Sequence, residues 1–514
     1  MSAGNDLKND IDEKENLDID LKNVEDVDQE GEAQKVIAAE HDFTPEEYKK
    51  LLRKIDLFLM PLLMIAYGLQ YIDKTSLSSG AIFGLKEETH LKGNEYANLT
   101  LFFYMAYFFA QIPMSWILQK LPFGRTLSIC VIIWGGCVMC LAACGNYSQL
   151  VAVRFLIGWF ESVVTPAFAI LTTSWYLRNE QTLRQGIYYS MNHFVNIVMS
   201  VGIYKIADYT QKHGTMSGWR VINLFLGGTT VAIGLLMVIF IGNPGEVWWL
   251  SKREKLMAHA RIVSNSTGGS EQHPWKWEQV RECLRDRQFW HAMAMNFFSL
   301  IPNGALTTFQ FIIFQSFGFT SLQTILYSLP MFGINFVLIV SASVCIRYYP
   351  HTRFPIAIFT QIVGVAIWLF VGVAPDGTSR WARWGTFLFC HTFVVSIFIL
   401  WPLMSVNVAG RTKKSFLSAM SLMSYCVGNT VGSQIFLPRD APGYRHGLVT
   451  CAIVLAISVV NTSLWWRYYV STNRKREEAF IASGISHDER ELQLRLAGEN
   501  DLTDIENPHF RYSC

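Results

Sequence analysis

The chain has 514 residues, of which 51% are hydrophobic and only 16% are charged, whereas ordinary globular proteins carry roughly 25% charged residues. This composition predicts an integral membrane protein rather than a string of soluble domains. The formal net charge is +2, but residues 1–40 hold thirteen acidic residues against four lysines, so the remainder carries a surplus of +11. Its basic residues are scattered between apolar runs, which argues against a nucleic-acid-binding protein.

Apolar runs long enough to cross a bilayer occur twelve times along the chain. An α-helix rises 1.5 Å per residue, so about 20 apolar residues span the roughly 30 Å of hydrocarbon. The first six runs lie near residues 55–76, 97–118, 126–145, 150–176, 187–207 and 221–241. The second six lie near residues 289–314, 323–346, 354–373, 384–408, 415–437 and 447–469. The pattern predicts an all-α membrane protein with twelve transmembrane helices in two pseudo-symmetric six-helix bundles, residues 55–241 and 289–469.

Three polar segments flank the two predicted bundles. Residues 1–54 form an acidic cytosolic tail, which we expect to be disordered because it has few apolar residues to bury. Residues 242–288 form a cytosolic central loop, in which residues 248–263 are predicted to be a helix along the membrane and residues 264–270 a turn. Residues 470–514 form a cytosolic C-terminal tail.

The distribution of Lys and Arg predicts the orientation of the chain. Cytoplasmic loops and flanks of membrane helices retain positive charge. With the N-terminus inside, the inner loops and flanks carry 25 Lys and Arg residues and the outer loops carry eight. We therefore expect both termini in the cytoplasm.

A short motif recurs at equivalent places in the two halves. Pro122 and Arg125 follow the second apolar run, and Pro350 and Arg353 follow the eighth. This repeat fits two related bundles with a binding site between them near the membrane midplane, although two ordinary basic turns would give the same pattern. The sequence contains no GxxxxGK[ST] phosphate-binding loop, so nothing supports an ATP-driven pump.

The ten cysteines predict neither a metal centre nor a disulfide framework. Most lie inside apolar runs, where a free cysteine behaves as a small hydrophobic residue. Cys137 and Cys140 form a CxxC pair, but no second pair and no histidine accompanies it. No loop brings together a nucleophile, a base and an orienting group, so we expect neither an enzyme nor a cofactor.

Four charged residues lie well inside predicted membrane helices of the first half, where each is costly and therefore a candidate for function. Lys205 near the outer end of the fifth helix can reach the interface and is left out of the site. Asp73 and Lys74 lie in the first helix, and Arg154 and Glu161 lie seven residues apart on one face of the fourth, with Gly158 between them. The cations Arg154 and Lys74 can hold an anion. The carboxyl groups of Glu161 and Asp73 can exchange protons, because burial favours the neutral form. Alternatively, the four residues pair as internal salt bridges that stabilise the bundle.

Uncharged polar residues give weaker candidates in both halves. In the second half, His391 is the ionisable residue well inside a predicted helix, apart from thiols and phenols. For His391 and His193 we favour a hydrogen-bonded interior histidine. Each buried asparagine serves equally well for hydrogen bonding between helices or for substrate contact. The asparagines are Asn192, Asn196, Asn303, Asn407 and Asn429.

Three sequence motifs carry a resemblance to a known family. They are YIDKTSL at residues 71–77, RFLIGWFE at residues 154–161 and TDIENPHFRY at residues 503–512. The third is the most specific, because hydropathy alone does not constrain a cytosolic tail. Together they resemble the fungal allantoate permease group of the anion:cation symporter family, in the major facilitator superfamily.

The resemblance implies a set of site residues. In this family the acids of the first and fourth helices are associated with proton coupling, and the cations of the same helices with anion recognition. Lys74 replaces the family's usual Arg, which keeps the charge but loses the bidentate geometry. The residues at matching positions are Asp73 and Glu161 for proton coupling, and Lys74, Arg154, Asn192 and Asn429 for substrate binding.

The resemblance further implies a secondary active transporter that imports a small organic anion together with protons by alternating access. Allantoate, ureidosuccinate, a small peptide or a vitamin-type carboxylate are the substrates it suggests. We expect a monomer in the plasma membrane, with the endoplasmic reticulum or the vacuolar membrane as alternatives. Two other functions stay open, a facilitator that moves its substrate without protons and a nutrient sensor that transports nothing.

Overall fold

The computed structural model describes residues 43–214, 216–263, 275–375 and 377–514. Within these residues the chain folds into eighteen α-helices and two short 3₁₀ turns, Pro350–Thr352 and Pro438–Asp440. The first nine helices are α1 Pro45–Ile82, α2 Leu85–Glu88, α3 Glu95–Lys120, α4 Phe123–Leu141, α5 Tyr147–Glu161, α6 Val164–Trp175, α7 Arg178–His213, α8 Gly218–Phe240 and α9 Lys252–Val263. The others are α10 Trp277–Arg285, α11 Arg287–Gln315, α12 Ser321–Tyr348, α13 Arg353–Val373, α14 Arg380–Phe387, α15 Val394–Val406, α16 Arg411–Gln434, α17 Arg445–Ser483 and α18 His487–Glu499.

The twelve predicted membrane spans all correspond to helices. Ten are single helices, while the fourth is divided into α5 and α6 and the tenth into α14 and α15. Nine of the helical segments that the structure describes are long and apolar enough to cross a membrane by length and composition. The helices α7 and α16 fall outside that group because they carry more polar residues, and α15 is shorter.

The first helix begins at Pro45, ahead of the apolar run that predicted it near residue 55. Thr44 caps it, since its hydroxyl oxygen accepts from the Glu47 amide (3.3 Å) while the Glu47 carboxylate accepts from the Thr44 amide (2.9 Å). Proline at the first helical position needs no hydrogen-bond partner there. The prediction of a disordered tail over residues 1–54 is therefore wrong for residues 45–54, which are helical, while residues 1–42 lie outside the described residues.

The membrane helices pack into two groups, named here the N-bundle (α1 and α3–α8) and the C-bundle (α11–α17). Within the N-bundle, α4 packs on α8, α3 on α5 and α1 on α7, and within the C-bundle, α11 packs on α16 and α13 on α17. Three helix pairs make the main contacts between the bundles: α1 with α11, α3 with α16, and α7 with α12. The interface is therefore built from the same small set of helices that carries most of the predicted site residues.

The two ends of the bundles differ in how the halves meet. We call the end at which α1 begins and α17 ends the tail side, and the opposite end the far side. On the far side the Ser78 hydroxyl oxygen accepts from the Phe311 amide (2.9 Å), and the Tyr96 hydroxyl donates to the Thr308 carbonyl (2.6 Å). These hydrogen bonds run from the N-bundle to the C-bundle, so the far side of the interface is closed.

The C-terminal segment folds back onto the tail side of the C-bundle. The buried Lys413 at the start of α16 donates to Asp504 (2.9 Å), and Asn407 exchanges two hydrogen bonds with Ser513 (2.8 and 2.9 Å). Burial and the adjacent Asp504 carboxylate raise the pKa of Tyr512, whose hydroxyl donates to Asp504 (2.8 Å). The tail packs against the ends of helices through specific side chains. These contacts require a particular sequence, which hydropathy alone does not.

Candidate functional site

A cavity lies between the two bundles at the middle of the helices. Its volume is about 130 Å³, and it is lined from α1, α3, α6 and α7 on one side and from α11, α15 and α16 on the other. Among the described residues that line it, Lys74 is the sole Lys or Arg. Seven of the eighteen lining residues are Tyr, Phe or Trp, namely Tyr67, Tyr71, Tyr107, Tyr189, Phe398, Trp401 and Tyr425.

Lys74 and Glu161 form a buried ion pair at the cavity wall. The Lys74 ammonium donates to Glu161 Oε1, and their side chains are 9% and 0% exposed. The other oxygen of Glu161 has no hydrogen-bond partner among the described residues. The Lys74 ammonium also lies 5.8 Å from the ring centroids of both Phe103 and Tyr107, so aromatic faces complete its surroundings. One member of the pair faces the cavity and the other lies behind it.

Asp73 points away from the cavity, into the N-bundle. Its carboxylate accepts a hydrogen bond from the indole of the buried Trp134 in α4 (3.3 Å). Its second oxygen has no partner within the part of the chain that the structure describes. Since Lys74 is the next residue in the same helix, the two side chains leave α1 in different directions.

Arg154 also lies outside the main cavity. It is 4% exposed, its guanidinium is 3.5 Å from the Ser76 hydroxyl, and together with Lys74 it lines a smaller void of about 10 Å³. Gly158 lets α5 approach α3 closely, because a Cβ there would lie 2.2 Å from the Phe103 carbonyl oxygen of α3. The structure therefore brings Lys74 and Glu161 together and leaves Arg154 one layer deeper.

The two asparagines expected to bind substrate differ in position. Asn192 in α7 lines the cavity, and its side-chain oxygen has no partner among the described residues. Asn429 in α16 is fully buried behind Asn303, from which it accepts a hydrogen bond (2.8 Å), and it donates to the Tyr425 carbonyl (2.8 Å). Asn303, rather than Asn429, reaches the cavity wall.

The histidines lie at the bundle interface. His193 of α7 lines the cavity, and its Nδ1 has no hydrogen-bond partner within the described chain. His391, in the turn between α14 and α15, has its Nε2 3.2 Å from the Tyr71 hydroxyl of α1. The two imidazole centroids are 6.0 Å apart.

Sequence reasoning missed most of the aromatic wall, although one signal for it was present. Tyr67, Gln70, Tyr71 and Lys74 follow one another at helical spacing and share one face of α1, and all four line the cavity. The contributions from α15 and α16 carry no such signal, because aromatic residues in an apolar helix contact lipid or protein equally well.

Comparisons with known proteins agree with this architecture. The family model of the Major Facilitator Superfamily matches residues 63–433. Allantoate permease of Saccharomyces cerevisiae is 31% identical over 93% of this chain and 88% of its own length. The thiamine pathway transporter of the same yeast is 30% identical over 92% of this chain and 87% of its own.

Relatives and solved structures support the same assignment. An uncharacterized transporter of Schizosaccharomyces pombe is 32% identical over 94% of this chain and 92% of its own length. The structure of a D-xylose-proton symporter superposes with a TM-score of 0.61 over 80% of this chain and 97% of that chain, at 12% identity, which speaks for the fold alone. The chain therefore belongs to the major facilitator superfamily and is a multi-pass membrane transporter rather than an enzyme.

Proposed function

We propose that this protein imports a small organic anion together with protons by alternating access of the central cavity. The observation that carries the proposal is the buried ion pair of Lys74 and Glu161 at the cavity wall. Lys74 is the one cation on that wall among the described residues, and a carboxylate already occupies it. An anionic substrate must therefore compete with Glu161 for the same ammonium group.

Protonation of Glu161 resolves this competition. A neutral Glu161 no longer balances the charge of Lys74, so Lys74 becomes available to a substrate carboxylate. Loss of the proton on the cytosolic side restores the ion pair and expels the anion. Proton and anion thus bind together and leave together, which is the requirement for symport. Asp73 and Arg154, one layer deeper, are proposed as the second proton site and as additional positive charge for the anion.

The cavity wall suits a small carboxylate with an organic body. Aromatic side chains from both bundles contribute to it, while Asn192 and Asn303 supply neutral hydrogen-bonding groups. One relative is named allantoate permease and another a thiamine pathway transporter, which agrees with a compact nitrogen-containing substrate. We propose allantoate, ureidosuccinate, a small peptide or a vitamin-type carboxylate as the substrate. Lys74 and Asn192 are proposed to bind it at the cavity wall, and Arg154 and Asn429 to act from behind that wall.

We further propose that the protein works as a monomer in the plasma membrane, with the tail side in the cytoplasm. The excess of Lys and Arg on the tail-side loops supports this orientation. With the far side closed by hydrogen bonds, the structure corresponds under this orientation to a state closed to the outside.

Uptake by purified protein in vesicles tests the proposal. Labelled allantoate, ureidosuccinate, nicotinate and pantothenate are offered with and without an inward proton gradient. Wild type is expected to accumulate at least one of them only with the gradient. Glu161→Gln mimics the neutral carboxyl, so it is expected to lose gradient-driven accumulation while keeping exchange of internal for external anion.

The outcomes separate the rival functions. Gradient-independent equilibration by wild type would favour a facilitator, and no flux of any anion would favour a sensor. Accumulation by Glu161→Gln at the wild-type rate would exclude Glu161 from proton coupling. The partly exposed Glu95, which lies outside the cavity on the far side, provides the matched control Glu95→Gln, which is expected to behave like wild type.

A further inference from the structure

Two membrane spans are interrupted at corresponding places in the two halves. In the fourth span α5 ends at Glu161 and α6 begins at Val164, and the regular helix is interrupted at Ser162 and Val163, which keep right-handed helical backbone angles. The tenth span, six further along, breaks between Phe387 at the end of α14 and Val394 at the start of α15. In transporters built from repeats, interrupted helices at corresponding positions of the two halves indicate the binding site.

Each interruption holds a buried ionisable side chain that contacts α1. Glu161 binds Lys74, and His391, which is 1% exposed, contacts Tyr71. Tyr71 and Lys74 are three residues apart and therefore share a face of the helix. The first contact stays within the N-bundle, whereas the second crosses from the N-bundle to the C-bundle. The α1 helix is thus connected to both interruptions.

The surroundings of His391 favour one hydrogen-bond arrangement. Its Nδ1 lies 3.3 Å from the Cys390 sulfur, and the Cys390 thiol donates to the Met331 sulfur (3.7 Å), which can only accept. With the thiol hydrogen so placed, Nδ1–H donates to the Cys390 sulfur and Nε2 accepts from the Tyr71 hydroxyl. The His391 ring is then held from both sides.

The hydrogen bond between Tyr71 and His391 lies closer to the tail side than the other hydrogen bonds described between the bundles. Seven residues of α1 separate Tyr71 from Ser78, which is about 10 Å along the helix axis. The hydrogen bonds of Ser78 and Tyr96 close the far side and must break when it opens. The hydrogen bond between Tyr71 and His391 lies instead next to the cavity, because Tyr71 lines it. This bond therefore connects the helix that carries Lys74 to the C-bundle at the depth of the site.

We propose that His391 is a positioning residue of the transport cycle and the C-bundle counterpart of Glu161. By accepting the hydrogen bond from Tyr71, it fixes α1, and with it Lys74, against the C-bundle while the far side is closed. Opening of the far side breaks this bond. The inference rests on the transport function proposed above, but its consequence is a shift in conformation that is measurable without substrate.

The test measures the separation of the bundles on the far side. Spin labels are placed on Lys92→Cys in the loop before α3 and on Gly377→Cys in the loop before α14, where an added Cβ meets nothing within 4 Å. Tyr71→Phe and His391→Phe are each expected to raise the far-open fraction about five-fold, the shift that one ordinary buried hydrogen bond supports. The native cysteines replaced by serine for labelling are Cys137, Cys140, Cys345 and Cys514, which are exposed or partly exposed.

Three further variants make the test decisive. The double variant of Tyr71→Phe and His391→Phe is expected to match either single variant, because both remove the same bond. His391→Gln keeps an acceptor for the Tyr71 hydroxyl and is expected to restore most of the wild-type distribution. His291→Phe is the matched control, because His291 bonds to Asn461 (2.9 Å) within the C-bundle.

Unchanged distances in Tyr71→Phe and His391→Phe would overturn the proposal, as would additive shifts in the double variant. If size-exclusion chromatography shows that His391→Phe is not folded, the result of Tyr71→Phe decides whether the proposal holds, because that variant removes a single hydroxyl group. Failure of every anion in the uptake assay would refute the proposed import of an organic anion and would leave the distance result standing as a separate finding.

Discussion

The two bundles bury polar groups in different ways. The N-bundle buries charges, among them the ion pair of Lys74 and Glu161 beside the cavity. The C-bundle interior holds a neutral network, in which the Gln361 amide donates to the hydroxyl groups of Ser396 (3.1 Å) and Ser458 (3.2 Å), all fully buried. The two bundles are both helical, but the N-bundle interior contains an ion pair beside the cavity and the C-bundle interior contains a neutral hydrogen-bond network.

The difference is informative because the two arrangements have different costs. Removing an ion from water costs several kcal/mol even after relaxation, and a buried pair recovers this only with good geometry. A neutral network whose members are hydrogen-bonded stabilises and orders its surroundings without that cost. Beside the cavity the N-bundle alone retains charge, whereas the buried Lys413 of the C-bundle lies at the tail-side end of α16. This supports a division of labour, in which the N-bundle carries the proton and anion chemistry and the C-bundle supplies a neutral wall.

Lys74→Ala is expected to have the largest effect. It leaves Glu161 buried without its cation, a change that costs ~3–5 kcal/mol in other buried pairs, and it removes the positive charge from the cavity wall. We expect loss of both uptake and exchange in vesicles, with a lower melting temperature. Lys74→Arg keeps the charge and is expected to retain part of the activity. If Lys74→Ala took up the anion at the wild-type rate, the assignment of anion binding to the N-bundle would be wrong.

Arg154→Ala is expected to weaken anion binding less than Lys74→Ala does. Arg154 lines the smaller void with Lys74 and does not reach the main cavity, so its charge acts on the anion from a distance. We expect about tenfold weaker binding, or about 1.4 kcal/mol, in ligand-dependent thermal stabilisation. The exposed Lys205→Ala is the control for loss of one positive charge. Binding unchanged in Arg154→Ala would restrict this residue to a structural role.

The sequence predicted the charged half of the site better than the neutral half. A charge inside an apolar run is conspicuous because it is costly, so Asp73, Lys74, Arg154 and Glu161 were found from the sequence. Their partners were not, since the pairing of Lys74 with Glu161 depends on how α1 and α5 are rotated. His391 was interpreted as an ordinary interior histidine, because the interruption of the tenth span gives no hydropathy signal.

The fold shows the same limit. Hydropathy predicted twelve spans, and all of them are helical, because a bilayer requires every backbone group to be paired within its segment. The breaks at residues 162–163 and 388–393 lie inside continuous apolar runs and were not predicted. The docking of the C-terminal segment depends on contacts such as Lys413 with Asp504, which join residues far apart in the sequence.

Gln361→Leu tests the neutral side of the comparison and is expected to have a moderate effect. It removes two hydrogen bonds but leaves Ser396 able to donate to the Phe393 carbonyl (2.7 Å), so we expect a loss of ~1–3 kcal/mol in stability and unchanged proton dependence of uptake. Gln361→Glu adds a carboxyl group of the same shape and is expected to destabilise more. A change in proton dependence with Gln361→Leu would show that coupling extends into the C-bundle.

Trp134→Phe is expected to have the smallest effect and sharpens the role of Asp73. Because Trp134 donates the one hydrogen bond described for the Asp73 carboxylate, its loss frees that side chain to turn while the ion pair of Lys74 stays intact. We expect proton-driven uptake to fall by about threefold, within the ~1 kcal/mol of one hydrogen bond, and exchange to remain at the wild-type level. The control is Trp175→Phe, which removes an equally buried indole bonded to the Gly242 carbonyl (3.0 Å) and is expected to lower stability without affecting uptake selectively. If both variants lower uptake and exchange alike, Asp73 serves packing in the N-bundle, and Glu161 alone remains as the candidate proton site.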